Sequence, residues 1–288
     1  MTQALFGQLL LGLINGSFYA LLSLGLAIIF GLLNVVNFAH GALYMLGAFL
    51  AWIGLTRFGV SYWVALIAVP LVVGALAIGV ERTMLRRLYG LDNLYGLLLT
   101  FGLALVAEGV FQNAYGISGN SYPVPEALRG GVRLSFMYLP LYRAWVVLVS
   151  VAVCFASWFV IERTRLGAYL RAGTENPHLL QAFGVNVPLM FTITYGYGAA
   201  LAAFAGVMAA PIYQVTPMMG SSIVIVVFAV VVIGGMGSIV GSIVTGLGLG
   251  LVEGLTKFFW PQAASAVVFL VMALVLLVRP AGLFGRER

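Results

Sequence analysis

The sequence predicts an all-α, polytopic integral membrane protein of about 8–10 membrane segments, including broken or re-entrant helices. Three observations predict it. The first is composition: 62% of the 288 residues are hydrophobic and 8% are charged, where soluble domains carry roughly 25% charged residues. The second is the placement of charge: no Asp, Glu, Lys or Arg occurs from Met1 to Thr56, or from Asn176 to Val252. The third is continuity. The apolar segments run on without the alternation of a barrel strand, so helices satisfy the backbone in lipid.

Taken in order, the first span runs from about Leu9 to Leu33, on the criterion of about 20 apolar residues. Asn15, Gly16, Ser17 and Tyr19 stand on its early turns. The stretch GLLNVVNFAHGALYMLGAF, Gly31 to Phe49, opens a second span that ends near Thr56. Asn34, Asn37 and His40 fall at i, i+3 and i+6, one face of a helix, while Gly31 and Gly41 mark a hinge or broken helix. Trp52, Tyr62 and Trp63 suit an interface belt around Arg57. A third span, Trp63 to Val80, leads into ERTMLRRLYG, where Arg82, Arg86 and Arg87 predict a cytosolic loop. Leu94 to about Gln112 is a span that holds Glu108.

Asn113 to Arg143, rich in proline and glycine, is the longest polar connection and reads as external. Ala144 to Ile161 spans back, placing Glu162, Arg163, Arg165 and Arg171 on the side of the Arg82 loop. Val187 to Ala210 crosses outward, and Pro211 and Pro217 break the chain. The apolar Ile223 to Ile233 leads into GGMGSIVGS, in which Gly234, Gly235 and Gly237 weaken any helix and predict a hinge. Ile243 to Leu255 follows, Phe258 to Val278 is the last clear span, and the tail RPAGLFGRER predicts a cytosolic C-terminus. The count is about nine segments. IFGLLNVVNFAHG and VIGGMGSIVGS echo each other as glycine-interrupted segments, one in each half, a pattern that points to a transport site at a repeat interface.

Arg165 to Pro188 is a polar island between two spans. Within it Asn176 reads as a helix cap, Pro177 as the first helical residue and Gly184 as the stop. A helix of about two turns is too short to span a bilayer and lies outside it, where a partner can grip it.

Function classes fall away on residue content. The net charge of +6 is spread over short connections and reads as topology signal, not nucleic-acid binding. Lys257 is the sole lysine and no GxxxxGK[ST] occurs, so ATP is not held by a phosphate loop here. Two histidines and Cys154 make no metal site and no disulfide framework. No catalytic constellation is present, and MTQALFGQ lacks the basic region of a cleaved signal peptide. Glu108 and Glu253 are intramembrane carboxylates and functional candidates by default. Glu253 has Lys257 at i+4, a structural pairing, whereas Glu108 has no cation at helical spacing. Asn15, Ser17, Tyr19, Asn34, Asn37, His40 and Glu108 are candidates for a substrate path; interhelical hydrogen bonding is the structural alternative for the amides and the histidine.

Four segments in this order, NVVNFAHGALYMLGAF, NPHLLQAFGVN, VVIGGMGSIVGSIVTGLGLG and RPAGLFG, resemble the permease subunits of branched-chain amino acid ABC importers of the LivH type. The resemblance covers nearly the whole chain as a single permease domain, residues 1–288. It implies a heterodimer with a related second permease, two cytosolic ATPase subunits carrying ATP and Mg, a periplasmic binding protein, and a bacterial inner membrane. It also maps the family's coupling loop onto Thr174 to Gly184. The candidate contacts there are Thr174, Glu175, Asn176, Pro177, Leu180, Phe183 and Gly184. The importer pattern Glu-Ala-Ala…Gly is partly kept, since Glu175 precedes Asn-Pro. Related permeases handle urea and short amides, which stays open as the substrate alternative. A different class, an ion-coupled secondary transporter, would use Glu108 or Glu253.

Overall fold

The computed structural model describes residues 2–33, 37–89, 91–133 and 138–285. They form, in order, α1 (Thr2–Leu33), α2 (Ala39–Phe58), α3 (Tyr62–Thr83), α4 (Asn93–Tyr115), β1 (Gly131–Arg133), β2 (Tyr138–Pro140), α5 (Leu141–Arg163), α6 (Arg165–Glu175), α7 (Pro177–Ala182), α8 (Val187–Ala209), α9 (Met219–Gly234), α10 (Ile239–Phe259) and α11 (Val267–Val278). The two short strands pair antiparallel, Val132 opposite Leu139. Helices α1 to α5, α8 and α10 are long and apolar enough to cross a membrane; α9 and α11 are shorter apolar helices. The all-α polytopic class is therefore as the sequence predicts.

The end of the chain corrects the expected boundaries. The glycine-rich segment expected at Ile243 to Leu255 is a full-length helix, α10, that runs on to Phe259. Phe258 to Val278 is not one span. Pro261 cannot continue α10, and Trp260 before it has left helical geometry (φ −148°, ψ 78°), as a following proline disfavours the α region. What remains, α11, has 12 residues, about 18 Å of helix against a hydrocarbon core of about 30 Å.

The chain divides into two compact units. One comprises Met1–Leu24, Pro123–Phe155 and Ile225–Arg288. In it α1 lies on α10 through facing glycines: a Cβ added to Gly12 or Gly250 would strike the backbone of the other. The core around them is built of Val230, Ile233, Leu249 and Val268. Between α9 and α10 the chain leaves helical geometry, with Gly235 at φ 97° and Gly237 at φ 83°, a region glycine enters freely. Ser238 then caps α10, its Oγ accepting from Gly241 N at 3.0 Å.

The other unit comprises Gly25–Tyr122 and Ala156–Val224. Here α8 is the central element, packed on α2 and on α3. Added Cβ atoms on Gly47 of α2 and Gly206 of α8 would collide with Ala203 O and Tyr44 O, so these backbones touch. Without a hydrophobic drive between helices in lipid, such close backbone contact is what holds them together. A paired bridge, Asn120 N to Val215 O and Val215 N to Asn120 O, both 2.9 Å, ties the connection after α4 to the one after α8.

Candidate functional site

The polar island holds two helices where one was expected. Helix α6 precedes the short one and buries Gly167, Leu170 and Gly173 on a single face. Gly167 is dictated by the turn out of α5, because a Cβ there would overlap Ile161 O. Gly173 makes room for Leu180 and Met190. The spacing of 167, 170 and 173 was a legible helical signal; the polarity of the residues between them obscured it. Arg171 pairs with Glu162 at 3.3 Å, holding α6 to the end of α5. The Thr174 hydroxyl donates to Arg171 O, and Glu175 is exposed.

Helix α7 has the ends the sequence predicts. Asn176 Oδ1 accepts from Leu179 N at 3.0 Å, Pro177 is the first residue, and Gly184 closes the helix at φ 80°. Leu180 is buried, while its neighbour Leu179 and the C-cap residue Phe183 are exposed, Phe183 at 77%.

A second polar group was not anticipated. Glu81, expected in the arginine-rich loop, lies inside α3 and is 1% exposed. Its Oε1 accepts from the Tyr89 hydroxyl at 2.8 Å and its Oε2 from the Thr192 hydroxyl at 2.7 Å. Burial, and then the Glu81 carboxylate, hold the Tyr89 phenol far above its ordinary range. The signal was periodic: Val73, Gly74, Ala77 and Glu81 continue the buried stripe of α3, which Arg82 does not join. One turn further along α8, Tyr195 OH accepts from Asn37 Nδ2 at 3.2 Å.

The path candidates separate. Asn34 lies outside the described residues. Asn37 and His40 do not share a helical face, because α2 begins only at Ala39, after Asn37. Both are buried. Gly31 is helical within α1, and Gly41 is inside α2, where its missing side chain admits Gly220 rather than making a hinge. Asn15, Ser17 and Tyr19 belong to the other unit. Ser17 Oγ donates to Leu13 O in its own helix, and Tyr19 OH donates to Glu253 Oε2 at 2.8 Å. Glu253 also meets Lys257 at 2.5 Å, so the structural reading of that carboxylate stands.

Glu108 is placed differently. With Phe101 and Leu105 of α4 it faces Gly41 and Met45 of α2 and Ser221 of α9 across a small open cleft of about 50 Å³. Among the described residues it is the one charged residue of the lining, and it has no hydrogen bond or ion pair with any of them.

Spanning helices joined through glycine contacts, with a short capped helix between two of them, define a polytopic membrane protein. Residues 8–277 match the family described as branched-chain amino acid transport system / permease component, and the chain belongs to that family. It is 33% identical to the high-affinity branched-chain amino acid transport system permease protein BraD of Pseudomonas aeruginosa, over 97% of this chain and 95% of that one. It is 30% identical to LivH of Escherichia coli K12, a permease of the same description, with the same coverage of both chains. A probable LivH from Methanocaldococcus jannaschii is 25% identical over 95% of this chain and 90% of its own. No solved structure matches the chain.

Proposed function

We propose that this chain is the membrane-spanning permease subunit of an ABC importer for branched-chain amino acids. The family and the near full-length relatives support that substrate class over urea or amides. In this reading a related second permease completes a heterodimer. Two cytosolic ATPase subunits carry ATP and Mg, and a periplasmic protein delivers the solute. The chain sits in a bacterial inner membrane as a single permease domain, its C-terminus cytosolic.

The observation that carries the reading is α7. It is capped at both ends, placed with α6 between the spans α5 and α8, and presents Leu179 and Phe183 to solvent. A knob of this kind converts ATPase closure into tilt of α5 and α8, giving alternating access. Nucleotide drives the change only by favouring one of the two states. Thr174, Glu175 and Asn176 form the approach to the knob, and Gly184 lets the chain turn back into α8.

The test is extraction from the native membrane in mild detergent, wild type beside Phe183→Asp. Wild type brings ATPase and permease partners with it. The variant inserts normally and retains at least about tenfold less ATPase, the scale of losing one central apolar anchor. A wild-type chain that comes out alone, under conditions where a control complex stays whole, overturns the assembly. Equal ATPase recovery from the two overturns the role of α7.

A further inference from the structure

The Glu108 cleft calls for a ligand of particular chemistry. A carboxylate in a spanning helix is expensive unless something opposite in charge meets it, and Glu81 and Glu253 each have hydroxyl or ammonium groups to do so. Glu108 has none among the described residues. Around it the wall is apolar: Phe38 and Phe101, packed edge to face with centroids 5.9 Å apart, and Met45. Ser221 offers little, since its hydroxyl already donates to Met218 O at 3.0 Å. A divalent metal is a poor occupant, for it needs several oxygen ligands and no three metal-ligating side chains gather among the described residues. The combination of one carboxylate, aromatic faces and a thioether suits a cation carried on an aliphatic carbon. The cleft's volume of about 50 Å³, against the about 10–15 Å³ that holds one water on the same measure, admits an ammonium group and its carbon while the remainder of the solute projects from the mouth.

We infer that the Glu108 cleft is an ammonium subsite, in which the Glu108 carboxylate receives the α-ammonium of an aliphatic amino acid on its way through the permease. The inference rests on the import reading. Glu108 stands seven residues before the end of α4, about 10 Å of helix, from the connection that the proposed topology puts outside. The solute therefore meets this carboxylate early, and a neutral amide or urea lacks the group that it recognises.

Cysteine protection tests it without relying on transport. Ser221→Cys is introduced into the full chain in its native assembly and labelled with N-ethylmaleimide; the unmodified chain, whose only cysteine, Cys154, is buried, is the blank. Leucine and isoamylamine, which share the ammonium and the branched chain, slow labelling. At about four times the dissociation constant the rate falls about fivefold, as the free fraction goes as 1/(1 + [L]/Kd). The chain-matched 4-methylpentanoate, which has no ammonium, leaves the rate unchanged. Glu108→Gln abolishes protection, and Glu108→Asp, which keeps the charge, retains it. The inference is overturned if neither amine protects, if 4-methylpentanoate protects equally, if sodium ions alone protect, or if Glu108→Gln protects as well as wild type. Leucine uptake by the wild-type assembly in vesicles is scored separately. No uptake refutes the import reading, whereas uptake without protection refutes only the subsite.

Discussion

Glu253 and Glu108 occupy helices of similar apolar character and meet opposite surroundings. Glu253 is a closed account: Tyr19 reaches it from α1 and Lys257 from the next turn of α10, so both oxygens are occupied. Glu108 opens into a cleft with apolar walls and no partner among the described residues. Glu81 extends the comparison, being more deeply buried than either and held by two hydroxyls. The difference teaches that the depth of a carboxylate in a membrane helix does not by itself mark function. What separates a structural carboxylate from a functional one is whether the fold itself supplies the groups that satisfy it.

The largest effect is expected at Glu81. In Glu81→Ala the Thr192 hydroxyl can turn to Pro188 O, already 3.0 Å away, but the Tyr89 phenol loses its acceptor. Tyr89 is half-buried, so the lost bond costs toward the lower end of the about 1–3 kcal/mol of a fully buried unsatisfied donor. The expected result is a clear fall in detergent unfolding temperature, partly recovered by adding Tyr89→Phe, which removes the stranded donor. No fall, or no recovery, would mean that the cluster does not hold α3 to its neighbours.

A smaller effect is expected of Glu253→Gln. The amide still accepts from Tyr19, so the ion pair alone is lost. The Lys257 side chain is 40% exposed, and such a pair contributes about 0.2–1 kcal/mol. A modest drop in unfolding temperature, eroded by salt, is expected. Loss of leucine uptake with unchanged stability would instead move Glu253 into the transport machinery.

Much of this was legible in the sequence because lipid imposes simple rules. Span length, charge-free runs and the Asn-Pro…Gly punctuation of α7 are local signals, and for α3 to α5, α7 and α8 they describe the element found. The errors share a cause. Phe258 to Val278 reads as one apolar run because hydropathy averages over Pro261, which a backbone cannot. Asn34, Asn37 and His40 look like one face only if the helix has already started, and it starts after Asn37. Glu81 hides among the arginines that follow it, although its buried stripe identifies it. The Glu108 cleft needs three helices brought together, and no spacing within α4 encodes that Met45 and Ser221 lie opposite.

The smallest expected effect is the most discriminating. Glu108→Gln removes a charge that the fold does not satisfy, so it strands no partner and opens no cavity. Its half-buried position and unchanged shape put it among substitutions worth within about 0.5 kcal/mol. Losing an uncompensated charge from a spanning helix even favours the folded state slightly. The unfolding temperature of Glu108→Gln in detergent is therefore expected to equal or marginally exceed that of wild type, while Glu81→Ala, measured in parallel, falls. A drop in Glu108→Gln as large as that of Glu81→Ala would show that Glu108, like Glu81 and Glu253, is answered from within the protein. The cleft would then be a gap in the packing and not a place where a ligand is met.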